Sequence, residues 1–385
     1  MTLLLASVSG AEEAVRAVDA GADIIDLKDP SAGALGAVPP DLVRAAVAAV
    51  AGRRPTSAVT GDLPATPDAV LPAATAMADA GVDYVKVGFF PGGAPRATAA
   101  ALAALAGRVR LVAVLFADRA PDLSLLPSLA EAGFHGAMLD TATKGAGRLL
   151  THMPVPALGR FVAAAHAAGL RAGLAGALEA PDIPRLLVLN PDVLGFRGAL
   201  CAGGRHGPLD PAACARIRAL IPREGVTEPP PAVDYRLLAA RGYAPNPDGD
   251  PTVTDRVFVH DLVLPVSIGA YTHEYVAPQR VRFDVEALVA RPGRAVRDMG
   301  DVFSYDLIVD GIRLLTDGEH HPLVETLAER IAALVLTHRR VVKVVVRVTK
   351  LDVGSGVLGV EIERLRDTAQ PAAADVLPLP LRPHG

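Results

Sequence analysis

Between residues 3 and 222 a short apolar run is followed by an alanine-rich stretch of helical spacing, and the pair recurs eight times. The runs include Leu3–Val8, Asp23–Lys28, Thr56–Thr60, Asp83–Gly88, Arg110–Phe116, Gly136–Asp140, Arg171–Ala175 and Val193–Arg197. They are apolar almost throughout, the pattern of strands buried on both faces. Strands of that kind, alternating with helices, pair in parallel under a cover of helices. Eight units in about 220 residues match the count and length of a compact α/β TIM (β/α)8 barrel. An open doubly wound sheet would use fewer units and a switch-point crevice.

The pattern stops at residue 222. Residues 223–251 are rich in Pro, Gly and charge and read as a linker, with one helical turn around Tyr235–Ala240. Over 252–366 the period changes. Arg256–Ile268 and Arg280–Val289 alternate as strands, Ser304–Leu315 and Pro322–Thr337 have helical spacing, and Val341–Lys350 and Val357–Arg364 alternate again. The order ββααββ predicts an α+β domain with helices on one face of an antiparallel sheet. One apolar face and open edges make this sheet a candidate for oligomerisation. Residues 367–385, rich in Pro and Ala, read as a flexible tail.

Composition closes off several functions. Apolar residues make up 51% of the chain and charged ones 21%, enough for large cores. A net charge of −4 argues against a nucleic-acid-binding body. Two cysteines without a CxxC spacing give neither a disulfide framework nor a thiolate metal site, and no metal or cofactor is expected. No signal peptide and no membrane-spanning run is recognisable, so a cytoplasmic protein is expected.

Of 38 basic residues only five are lysine: Lys28, Lys86, Lys144, Lys343 and Lys350. Arginine stays protonated in proteins, whereas lysine can lose its proton and attack a carbonyl. In a barrel the reacting groups lie at the C-terminal ends of the strands. Lys28 closes the second predicted strand and Lys86 lies near the end of the fourth. Asp140 ends the sixth, and Lys144 follows in the loop. Cations crowded there depress one another's pKa, so that one amine can be neutral and form an iminium. Asp26, Asp29, Asp62 and Asp140 are candidates to move protons or hold the cations, although Asp29 and Asp62 also suit turns. Gly176, and Arg197, Gly198 and Arg205 at and beyond the end of the eighth strand, suit a phosphate site made of backbone N–H groups and guanidinium. A small phosphorylated carbonyl compound is the expected substrate.

The segments LLASV, GADIIDLKDPSAGALGA, DYVKVG, AMLDTATKGAG, GLAGAL and GFRGALC resemble (5-formylfuran-3-yl)methyl phosphate synthase across residues 1–222. The resemblance implies condensation of two glyceraldehyde 3-phosphate molecules, with loss of water and phosphate, toward methanofuran. It implies Lys28 as the Schiff-base lysine, with Lys86, Asp140 and Lys144 in support.

In the second domain the segments YTHE and PQ, YD, LVETLAERIA and VTK resemble dihydroneopterin aldolase over about residues 252–366. That resemblance implies a tunnelling fold assembled as rings, with sites between subunits. It implies retro-aldol cleavage of dihydroneopterin to 6-hydroxymethyl-dihydropterin and glycolaldehyde. Glu325 would bind the pterin edge, Lys350 would act as base or acid, Tyr305 would move a proton, and Glu274 would contact the substrate. Lys343, seven residues before Lys350 on one strand, faces the other way and reads as a solvated lysine. The adjacent pair His320 and His321, with His273, reads as loop or proton-transfer residues rather than metal ligands. The alternatives are a second domain that epimerises the pterin side chain, or one that serves only as an oligomerisation scaffold. A pterin- or phosphate-binding regulator fits the strand-tip lysines less well.

Overall fold

A computed structural model describes residues 1–222, 253–270, 272–291, 302–353 and 357–366. The expected linker helix and the C-terminal tail lie outside the described residues.

The first unit is a closed parallel barrel of eight strands in sequence order. They are β1 (Leu3–Val8), β2 (Ile24–Leu27), β3 (Thr56–Val59), β4 (Tyr84–Gly88), β5 (Arg110–Phe116), β6 (Gly136–Asp140), β7 (Arg171–Leu174) and β8 (Val193–Phe196). The ring shuts where β1 pairs with both β2 and β8, Leu5 lying opposite Ile24 on one side and Gly195 on the other. Nearly every strand residue is buried, which is why the strands lack a polar face in the sequence. Prolines at Pro40, Pro67, Pro95 and Pro211 open four of the covering helices, where a missing N–H costs nothing. Lys28 lies one residue beyond β2, so it starts the loop rather than ending the strand.

The second unit is a four-stranded antiparallel sheet of order β12-β11-β10-β9. Its strands are β9 (Thr254–Val266), β10 (Gln279–Ala290), β11 (Val341–Lys350) and β12 (Leu358–Leu365). Helices Tyr305–Thr316 and Val324–Leu336 cover one face. Phe283, Val285, Val344, Val346 and Val348 alternate onto that face and pack with Ile308, Ile312, Leu327 and Ile331. Burying these side chains gives the unit its own core, at roughly 1.5–3 kcal/mol for each large one.

Candidate active sites

Three amines and two carboxylates meet at the C-terminal mouth of the barrel. Lys28 Nζ donates to Asp140 Oδ2 at 3.1 Å. Lys144 Nζ donates to the other oxygen of Asp140 at 2.6 Å and to Thr141 Oγ1 at 3.3 Å. Lys86 Nζ donates to Asp26 Oδ2 at 2.6 Å, and Ser7 Oγ donates to the same oxygen at 3.0 Å. Asp26 Oδ1 is buried with no hydrogen-bond partner among the described residues. The three lysines, Asp140 and Ser7 reach one cavity of about 100 Å3, which Gly176, Arg197, Gly198 and Arg205 also line, and Asp26 lies behind Lys86.

Burial would raise the pKa of Asp140, but the facing Lys28 and Lys144 ammoniums and the Thr141 N–H hold it well below the usual carboxylate range. The amines of Lys86 and Lys144 are pushed down, first by burial. Their carboxylate partners oppose that shift only in part, and Lys28 adds to it by like-charge repulsion.

Asp62 and Asp29 hold the loop beside the mouth. Asp62 accepts from the backbone N–H groups of Ala34 and Leu35, at 2.8 and 2.5 Å, and so clamps the loop after Lys28. Gly33 sits against that clamp at φ +110°, and a Cβ there would lie 2.2 Å from Asp62 Oδ2. Asp29 accepts from Ser31 within its own turn. Arg197 also lines the mouth, but its donors are engaged within the protein. Its five N–H groups go to Glu13 at 2.6 and 3.3 Å, and to the carbonyls of Ser7, Arg205 and Gly207 at 3.1, 3.0 and 3.0 Å. None is left over for a phosphate. Arg205 donates one nitrogen to the carbonyls of Pro30 and Gly33 and keeps donors facing the mouth. Gly176, at φ +117°, packs on Thr141, where a Cβ would sit 3.0 Å from Cγ2.

Three supporting residues escaped the sequence reading. Ser7 holds Asp26, Glu13 holds Arg197, and Asp118 accepts from the N–H groups of Ala142 and Thr143 at 2.7 and 2.8 Å, fixing the loop that carries Lys144. A serine at a strand tip was the one local signal.

In the second unit Lys350, at the end of β11, ion-pairs with Glu274, which is 5% exposed. Gln279 Nε2 donates to Glu274 Oε1 at 3.0 Å and to the Ile268 carbonyl at 2.6 Å, so it aims the carboxylate. Gly269 makes room for it, because a Cβ there would lie 2.0 Å from Glu274 Oε2. Tyr305 and Glu325 open the two helices and are exposed, and neither bonds to Glu274 or Lys350 among the described residues. Lys343 points to the opposite face and pairs with Glu363 at 2.7 Å. His320 bridges Ser267 Oγ and the Gly269 carbonyl, and His321 Nε2 meets the Leu315 carbonyl. His273 has no described side chain. Among the described residues no group of three or more His, Cys, Asp or Glu is placed to hold a metal ion, and no helix is long and apolar enough to cross a membrane.

The geometry defines an amine-bearing (β/α)8 enzyme joined to a small α+β domain with a lysine–glutamate site. The family model for 4-HFC-P synthase matches residues 4–218, and the chain belongs to that family. A (5-formylfuran-3-yl)methyl phosphate synthase of Methanopyrus kandleri is 38% identical over 213 residues, covering 52% of this chain and 90% of that protein. A Methylorubrum extorquens protein provisionally given the same name is 49% identical over 215 residues, covering 55% and 89%. Residues 257–363 match the dihydroneopterin aldolase model. A dihydroneopterin aldolase structure from Burkholderia thailendensis, bound to guanine, is 28% identical, covers 30% of this chain and 93% of that one, and has a TM-score of 0.27.

Proposed function

We propose that the barrel condenses two glyceraldehyde 3-phosphate molecules into (5-formylfuran-3-yl)methyl phosphate, releasing water and phosphate. The observation that carries this reading is the convergence of Lys28, Lys86 and Lys144 on two carboxylates in one mouth. Lys28, as the free amine, attacks the carbonyl carbon of one triose, and loss of water leaves an iminium. A base removes the neighbouring proton, and the resulting enamine carbon bonds to the aldehyde of the second triose. The Lys86–Asp26 pair gives and takes the protons of the dehydrations. Lys144 and Arg205 face the departing phosphate, with the Gly176 and Gly198 backbone alongside. Borohydride added with glyceraldehyde 3-phosphate is expected to trap a covalent adduct, and Lys28→Arg to abolish it. An adduct that persists in Lys28→Arg removes Lys28 from the nucleophile's role.

The second domain we read as a dihydroneopterin aldolase. Lys350 and Glu274 take the side-chain hydroxyl proton as the carbon–carbon bond breaks. The electron pair enters the pterin ring, glycolaldehyde departs, and the enol-like carbon is reprotonated. The exposure of Tyr305 and Glu325 supports a site completed by a second copy in a homo-oligomer. Incubation with 7,8-dihydroneopterin should release glycolaldehyde, and Lys350→Ala should stop it. Silence from the wild type would favour the scaffold or the epimerase.

A further inference from the structure

The interior of a (β/α)8 barrel is ordinarily filled with layers of branched side chains. Here β6 and β7 place Gly136 and Gly173 on the inner wall. Met138 leans over Gly173, where a Cβ would lie 2.7 Å from its Cε. Below Met138 a second cavity of about 300 Å3 remains, walled by Leu3, Leu5, Ile24, Val112 and Val193. Its lower rim is polar: Tyr84, His135, Arg171 and Asp192 stand at the N-terminal ends of their strands, and His135 and Arg171 are exposed. Its roof is Lys86 with Met138, and both also line the mouth cavity above.

Ser57 adds an independent observation. It is 1% exposed and lines the lower cavity, yet its Oγ has no hydrogen-bond partner among the described residues. A buried hydroxyl left unpaired costs about 1–3 kcal/mol, and water in a cavity that also offers it the Lys86 amine and the polar rim relieves that cost.

We propose that this rear cavity is a water-filled path from the N-terminal face of the barrel to the amine of Lys86, along which the protons exchanged at Lys86 reach solvent. The need for such a path rests on the synthase reading, in which substrate occupies the mouth through several proton transfers. Each proton that Lys86 gives to a departing hydroxyl is replaced by one from the water behind it. Each proton it takes up leaves by the same route, so charge balances at every turn. Burial holds its pKa below the ordinary lysine value, the direction that eases release of its proton.

The test places a thiol in the path. Ser57→Cys is made in the full chain with Cys201→Ser and Cys214→Ala, and exposed to methyl methanethiosulfonate. Labelling is expected. Two plugs on different strands, Val193→Phe and Leu3→Phe, are each expected to slow it by an order of magnitude. No labelling, or labelling indifferent to both plugs, overturns the path. With glyceraldehyde 3-phosphate, Val193→Phe in the otherwise native chain should slow furan formation several-fold while borohydride trapping keeps its wild-type rate. Unchanged turnover in that plug overturns the proton role. A wild type that makes no furan phosphate counts against the synthase reading, whereas the labelling result stands or falls on the path alone.

Discussion

Lys28 and Lys144 divide one carboxylate between them, each amine holding a different oxygen of Asp140, at 3.1 and 2.6 Å. The arrangement fixes two cations side by side on one buried carboxylate. It also holds the pKa of Asp140 well below the usual carboxylate range, because the two amines outweigh the burial that would protonate it.

Asp140→Asn keeps the shape and removes the charge. Furan phosphate formation is expected to fall about 100-fold in kcat/KM, as for a lost positioned acid–base partner. Stability should drop by about 3 kcal/mol at neutral pH, since two buried ammoniums lose their counter-charge. That deficit should shrink toward alkaline pH, where the stranded amines can shed protons. Urea unfolding at both pH values checks it.

The lowered amines of Lys86 and Lys144 give a second pH signature. The unfolded chain keeps these protons up to the ordinary lysine value, and the folded chain releases them earlier. Between the two values the unfolded state binds more protons, so folded stability rises with pH there. Wild type should therefore gain stability relative to Lys144→Met as pH rises toward the ordinary lysine value of about 10.4. A difference that stays flat would show that the Lys144 amine is not lowered.

Glu13 and Arg197 are side-chain exposed by only 12% and 13%, and the guanidinium has spent all its donors. Glu13→Gln should cost about 3 kcal/mol in urea unfolding, the range for breaking a buried pair from one side. Arg197→Lys keeps the charge but cannot supply five donors, and it should be destabilised as well. Normal stability in both variants would return Arg197 to the list of phosphate ligands.

Gly269→Ala places a methyl group where the Glu274 carboxylate lies, at a φ of +133° that disfavours any side chain. Glycolaldehyde release should fall at least as far as in Glu274→Gln. Furan phosphate formation, measured in the same sample, should be untouched and serves as the control for folding of the barrel.

The barrel was legible because its strands are buried on both faces and its lysines are scarce. Lys28, Lys86 and Lys144 stood out only because arginine fills every other basic position of the first unit. Asp62 was ambiguous for a physical reason: a carboxylate that will clamp two backbone N–H groups reads, in sequence, like one that awaits a substrate. The use of Arg197 was illegible, since its partner Glu13 lies 184 residues away and no local pattern links them. Glycines in strands and glycines in loops look alike in a string of letters, so the space beneath Lys86 left no trace. Tyr305 and Glu325 matched the motif, but a motif does not say which copy of the chain they serve.

All five lysines are held by carboxylates: Lys28 and Lys144 by Asp140, Lys86 by Asp26, Lys343 by Glu363 and Lys350 by Glu274. Their side chains are between 6% and 29% exposed. The described surface thus carries almost no free amine for a cross-linker, a biotin ester or an immobilising resin to find. Lysine modification by a reagent of that kind will be slow on this protein, and four of the five lysines it can reach lie in the candidate sites.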